Sequence, residues 1–415
     1  MSALAPFGVR GFRFQWPADL ATSWAFEMEM LILGWYMLVE TGSVLMLTVF
    51  ASLQYHGTLI SPLFGVMGDR IGYRNVLCGM RLLYAALAAT LMTLAFLGLL
   101  TPVYVFVIAA LLGLVRPSDL VMRYSLIGET MPPGQLIGAM SISRTTVDSA
   151  RIAGALAGAG VVATLGMAPA YALVTMLYVA SFMLTLRISK ARTAIVGAVD
   201  GARARSRTTP WRDLKDVVAH VWDKPQLRAG MYFAFLLNLT AFPLIQGLMP
   251  YVAKEIYHAD QTVLGYLVAG FAMGALIGSV LLSRYGSVIR PARVMLVSGV
   301  LWYLMLMVFA HQGALAGGMA ALVLAGIAQS VCIVTLSTML MRTSDERFRG
   351  RVLGIRMLAI YGLPLGLLLA GPLIGRIDFV ATAMIYCGTG LLFTLLIAIR
   401  WRGDLWRMDA PANRR

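Results

Sequence analysis

Charge is scarce in this chain. Only 13% of its 415 residues are Asp, Glu, Lys or Arg, about half the share of a soluble domain. With 59% hydrophobic residues and a mean hydropathy of +0.79, the composition argues against a soluble enzyme. Acids are the scarcer sign, 19 against 34 Lys and Arg. Cysteine is nearly absent: Cys78, Cys332 and Cys387 stand far apart inside apolar runs, which excludes a disulfide framework and a metal cluster. No catalytic triad, zinc-ligand spacing or Walker-type phosphate loop occurs, so neither catalysis nor direct ATP use is expected, and no cofactor or metal.

Long apolar runs are what the chain has instead. Runs of about 20 residues recur along its whole length, which selects spanning helices over barrel strands. The fold class is therefore an all-α polytopic membrane protein. We read twelve spans at 20–38, 44–67, 76–98, 103–124, 136–165, 168–187, 228–252, 262–283, 292–311, 317–340, 352–375 and 379–399. No cleavable signal peptide is expected, because the basic, amphipathic start from Arg10 to Trp16 leads directly into a span. The 26 methionines are scattered, and they read as adaptable core filler and not as a copper site.

The net charge of +15 reports topology before it reports nucleic acid. Arginines collect in alternate loops: Arg70 and Arg74, Arg187 to Arg228, Arg284 to Arg293, Arg342 to Arg351, and the tail from Arg400. By the positive-inside rule these loops are cytoplasmic, and twelve spans put both termini there. We expect a bacterial-type plasma (inner) membrane location, membrane lipids but no nucleic acid as partners, and a monomer. The linker from Ser189 to Leu227 holds a partly amphipathic stretch, Trp211 to Trp222, suited to anionic headgroups.

The two halves repeat in one register. Gly154 and Gly158 match Gly371 and Gly375, Gly57 matches Gly274, and Glu129 matches Glu346, all 217 residues apart. Small residues at that spacing let helices approach closely. The expected organisation is a six-helix half over 1–188, a basic linker over 189–227, and a second half with its tail over 228–415. Two such halves place a substrate site between them near the bilayer midplane.

Between the second and third spans lies Gly65-Val66-Met67-Gly68-Asp69-Arg70-Ile71-Gly72-Tyr73-Arg74. Its glycines permit a sharp reversal and close helix approach, Asp69 can accept from the N–H groups of a neighbouring helix end, and Arg70 and Arg74 suit the cytoplasmic interface. The stretch resembles motif A of the major facilitator superfamily, with Tyr73 where that family usually has a basic residue. Gly34-Trp35-Tyr36 through Ser43, Asp119 through Arg123 to Glu129, Ala150-Arg151-Ile152 through Gly158, and Arg349 through Gly354 resemble the bacterial enterobactin-exporter and macrolide-efflux branch. The resemblance implies two pseudo-symmetric halves, alternating access, and a gate cluster of Gly65, Asp69, Arg70, Gly72 and Arg74 in which Arg123 joins Asp69. One departure is plain: drug exporters often carry Gly-Pro in helix 5, yet here it is Gly154-Ala155, and the Gly-Pro is Gly371-Pro372 in helix 11.

Charges inside spans are the candidates for coupling. Glu27 and Glu29 sit in the first span, where an ionised carboxylate costs several kcal/mol unless hydrated, paired or protonated. Two residues apart, they point about 200° apart and cannot both line one cavity. Gln246, the partner of Glu29 in the 217-residue register, favours Glu29. Arg116 stays charged and needs a carboxylate, with Glu27 and Glu29 both open as partners. Arg144, Asp148 and Arg151 form a stripe read as salt bridges holding the halves closed inside. Tyr36, Tyr55, Asn238, Gln246, Tyr266 and Gln329, with Met30 and Met249, make the expected cavity inventory, which suits an amphipathic or aromatic organic molecule. The expected function is proton-coupled export of a small organic substrate such as a siderophore, a macrolide or another drug. An importer, a lipid or lysolipid flippase, and a transport-inactive sensor or membrane enzyme are the alternatives.

Overall fold

A computed structural model describes residues 5–188, 219–285, 290–345 and 349–407. Most of the linker, Glu346 and the end of the basic tail lie outside the described residues, and with them most of the stretch Trp211 to Trp222. All regular structure among the described residues is helical. Twelve long helices run α1 (Arg10–Thr41), α2 (Val44–Ile71), α3 (Tyr73–Phe96), α4 (Pro102–Thr130), α5 (Pro133–Leu165), α6 (Met167–Leu186), α7 (Pro225–Ile256), α8 (Gln261–Tyr285), α9 (Pro291–Ala310), α10 (Leu315–Thr343), α11 (Gly354–Ile377) and α12 (Phe379–Arg400). Ten are long and apolar enough to cross a membrane. The other two, α1 and α5, are as long at 32 and 33 residues, and they carry the charges that build the site.

Local chemistry fixes the helix ends. Proline opens α4, α5, α7 and α9, where its missing N–H and fixed φ cost nothing. The reversal between α2 and α3 turns on Gly72 at φ +88°, a conformation that only glycine adopts freely. The first helix begins at Arg10, not near residue 20, because its extra turns are packed: Phe12 is buried and Gln15 Nε2 donates to the Arg123 carbonyl at 3.1 Å. Two helices are broken. In α2 a 3-10 turn occupies His56–Ile60, and in α7 the α geometry lapses after Gln246 and gives way to a π turn at Val252–Ile256.

The helices form two groups. In the first, α1 packs on α5 and α6, and α3 on α4 and α6; in the second, α8 and α9 pack on α10, α9 on α12, and α7 on α11. Each group has its own apolar core. At the arginine-rich end of the second group Lys224 Nζ bonds Asp345 at 2.8 Å, and that hydrogen bond holds the Asp345 carboxyl below its ordinary range.

The internal repeat has a packing counterpart. A Cβ on Gly57 would strike the backbone carbonyls of Gly113 and Leu114 in α4, and one on Gly274 the carbonyl of Val323 in α10. The groups meet through α5 with α8 and α2 with α11, again symmetrically. Gly265 takes Ala155 and Ala159 against its backbone, while Gly371 takes Leu45 and Thr48. Thr48 and Gly265, like Gly154 and Gly371, are 217 residues apart. These approaches lie towards the end opposite the Gly65–Arg74 loop.

Candidate functional site

A cavity of about 160 Å³ lies where the broken helices α2 and α7 meet α1, α5 and α8. Its walls are largely aromatic and aliphatic, with Phe26, Phe50, Phe271, Met30 and Met249 prominent. Four polar side chains enter it: Glu27, Arg151, Tyr55 and Gln246. Arg151 Nε stands 3.6 Å from Glu27 Oε1, with 34% and 17% of the two side chains exposed. The Tyr55 hydroxyl donates to Gln246 Oε1 at 2.6 Å, a hydrogen bond between the two helix groups.

The cavity carboxylate is therefore Glu27, whereas the sequence register favoured Glu29. The reason is how α1 is rotated against α5. A Cβ on Gly154 would come within 2.8 Å of Glu27 Cβ, and one on Gly158 within 3.0 Å of Met28 Cα; these two glycines let α1 lie flush with α5 and turn Glu27 towards Arg151. Glu29 points away from the cavity, fully buried. It pairs with Arg116 and accepts the Tyr178 hydroxyl at 2.9 Å. Arg116 also donates to Gln54 Oε1 at 2.8 Å and lies 4.5 Å from the centre of the Phe26 ring. Phe26 thus faces the cavity on one side and the buried pair on the other.

Of the remaining expected lining, Tyr36, Asn238 and Gln329 do not border this cavity. The Tyr36 hydroxyl donates to the Leu100 carbonyl at 3.0 Å, and Asn238 Nδ2 to Ala234 within its own helix at 2.9 Å. Tyr266 is 47% exposed on the outside of the bundle.

A second charged cluster lies towards the Gly65–Arg74 end: the i, i+4 spacing of Asp119 and Arg123 in the sequence suits their pairing, whereas Asp19 and Arg81 were not anticipated. Asp19 of α1 pairs with Arg81 of α3, and Arg123 Nε reaches Asp119 at 2.5 Å and Asp19 at 3.7 Å. Arg123 Nη1 also donates to Ser23 Oγ at 2.8 Å. Arg123 is engaged here, so it does not join Asp69 as the resemblance implied. The readable signal was Arg81, a lone cation well inside an apolar run.

The loop from Gly65 to Arg74 is likewise arranged differently from expectation. Asp69 accepts the Tyr73 hydroxyl at 2.5 Å, so the residue that departs from the family pattern becomes its partner. Arg74 Nη2 donates to the Leu186 carbonyl at 2.5 Å, and Arg70 is exposed. A Cβ on Gly65 or Gly375 would meet nothing within 4 Å, so neither serves close packing here. Pro372 sits inside α11 beside Gly371. The α5 stripe does not tie the groups together: Arg144 pairs with Asp148 along the helix at 3.2 Å and Arg151 with Glu27 of α1. Both are contacts within the first group, since the groups touch towards the other end.

Solved structures with this helix arrangement define the class. The chain is similar to the nucleoside transporter NupG, with a TM-score of 0.67 and 16% identity over 95% of this chain and 99% of that one. A D-xylose-proton symporter gives 0.69 and 13% over 93% and 96%. A bacterial homolog of the human lysosomal transporter Spinster, in an inward-facing and unoccupied conformation, gives 0.66 and 12% over 96% and 99%. No curated protein sequence matches. The fold is that of major facilitator transporters. Within it, residues 1–414 match the transmembrane secretion effector family, and the chain belongs to that family: it is a membrane transporter, not an enzyme.

Proposed function

We propose that the protein exports an amphipathic organic compound in exchange for protons, by alternating access across a bacterial-type plasma membrane. The Glu27–Arg151 pair carries this reading, because it is the charged feature of a cavity otherwise walled by aromatic and aliphatic side chains. A proton on Glu27 cancels its attraction for Arg151, so proton and substrate both act on one pair of the first half that lines the cavity. With the arginine-rich loops and both termini in the cytoplasm, the touching ends face outwards and the cavity is loaded from inside. Residues 1–188 and 228–415 rock as two bodies joined by the linker, and the loop from Gly65 to Arg74 acts as the gate. The family description, a secretion effector, supports export over import.

Inside-out vesicles given radiolabelled amphiphiles, with and without an imposed pH gradient, test this reading. Accumulation that collapses with the gradient is expected, and Glu27→Gln is expected to abolish it while leaving substrate exchange intact. Gradient-driven accumulation that persists in Glu27→Gln sinks the assignment of Glu27. Movement in the opposite direction would favour an importer, and pH-indifferent lysolipid movement a flippase.

A further inference from the structure

Among the described residues, five arginines of the first half are paired with acids. Arg81 and Arg123 share Asp19, Arg116 has Glu29, Arg144 has Asp148 and Arg151 has Glu27. Arg356, near the start of α11, has no carboxylate within ion-pair distance among the described residues. Its Nη1 donates to Ser337 Oγ of α10 at 2.5 Å. The Cys332 thiol of α10 and a second cation, Arg144 of α5 in the opposite half, lie near enough to act on it. A cation held at a membrane helix without a counter-charge is costly and by default marks a functional site. A second cation nearby adds repulsion to that cost.

We infer that Arg356 binds the acidic group of the transported compound while the compound's apolar body occupies the cavity. This rests on reading the cavity as the substrate site. Seven residues along α11 from Arg356 is Leu363, which packs with Ala51 of the cavity wall, a rise of about 10 Å. Arg144 and Arg151 are offset equally along α5 on the other side of the cleft. A compound of roughly that length reaches from an acid on Arg356 to an aromatic body against Phe26 and Phe50. Charge balance supports the same class. Glu27 with Arg151 and Asp148 with Arg144 are neutral pairs, whereas Arg356 has no acid among the described residues, and one anionic group neutralises it. The guanidinium presents a planar fork of donors suited to a carboxylate, sulfonate or catecholate.

A matched set of ligands tests the inference: tritiated naphthylbutyrate, its methyl ester and the primary amine of the same skeleton. Each is titrated onto purified protein in phosphatidylcholine nanodiscs. The acid is expected to bind at least about ten-fold tighter than the ester or amine, the scale of one charge-assisted contact. Arg356→Gln is expected to erase that preference, and Arg356→Lys to restore part of it, which separates lost charge from lost fold. Equal binding of the three compounds, binding of none, or an acid preference that survives in Arg356→Gln overturns the inference and leaves Arg356 as an interfacial anchor for lipid phosphate. Absence of acid preference in the unsubstituted protein alongside intact gradient-driven accumulation sinks this inference alone. Acid-selective binding without any gradient response sinks the coupled-export reading alone.

Discussion

The two halves share one helix arrangement and differ in what they bury. Inside α1–α6 lie Asp19, Glu29, Arg81, Asp119 and Arg123; at the positions 217 residues on stand Leu236, Gln246, Ser298, Leu336 and Leu340. Glu27 and Arg151 likewise answer to Leu244 and Leu368. Both halves thus have an apolar core, and among the described residues the first alone sets buried ion pairs within it. Ion pairs are not needed to make this bundle, since desolvation offsets most of their Coulomb gain. Among the described residues the buried pairs are confined to the first half, while the pairs of the second, such as Lys224 with Asp345, lie at its exposed end; on the reading proposed above, the first half would supply rearrangeable charge and the second a wall.

The largest effect is expected where that contrast is broken directly. Arg81→Met leaves Asp19 facing Arg123 alone at 3.7 Å, and breaking a buried pair in this way costs about 3–5 kcal/mol. Thermal unfolding in detergent should show a marked fall for Arg81→Met. Ser298→Ala, at the matching site of the second half, should cost about 1 kcal/mol or less, since its hydroxyl makes neutral hydrogen bonds, to the Val294 and Met295 carbonyls of its own helix and with the Cys332 thiol of α10. Combining Arg81→Met with Asp19→Leu should recover most of the loss, because no lone charge is left buried. If the double variant is as unstable as the single one, the cluster is structural in a way that the apolar half does not reproduce.

An intermediate effect is expected at the contacts between the halves. Gly371→Leu pushes a side chain into Leu45 and Thr48 across the α2–α11 approach. Overpacking of this kind costs about 1–3 kcal/mol, and it falls on the touching arrangement alone. Labelling of a cysteine introduced at Leu45, at the α2–α11 contact, should rise in Gly371→Leu and in its symmetry counterpart Gly265→Leu. Gly375→Leu, with open space around its Cβ, should leave accessibility unchanged. Equal behaviour of all three would mean that the contact does not hold this conformation.

These comparisons also mark what was legible in the residues. Apolar runs and the 217-residue repeat give the twelve helices, because spanning length and close glycine approaches follow directly from bilayer thickness and backbone size. That Arg116 needs an acid was readable too. Which acid was not, because Glu27 and Glu29 differ only in helix rotation, and rotation is set by Gly154 and Gly158 of a distant segment. The register argument for Glu29 leaned on Gln246, but α7 loses helical geometry just after that residue, so equal register no longer means equal facing. Asp19 and Arg81 escaped notice because they lie 62 residues apart, with no local pattern to join them.

The smallest effect is expected at the gate loop. Tyr73 occupies the usual basic position, and its hydroxyl donates to Asp69 at 2.5 Å on the exposed surface. An exposed neutral donor on a carboxylate contributes about 1 kcal/mol, so Tyr73→Phe should barely shift thermal unfolding. If Asp69 serves as a latch in the opposite state, where a neighbouring helix end supplies its donors, Tyr73 competes with that state by occupying the carboxylate here. Tyr73→Phe should then favour closure of the gate end and slightly raise the affinity of any ligand loaded from the far side, while Asp69→Asn lowers transport. A Tyr73→Phe variant that loses transport as fully as Asp69→Asn would show instead that the phenol, and not the carboxylate it holds, is the working part of the gate.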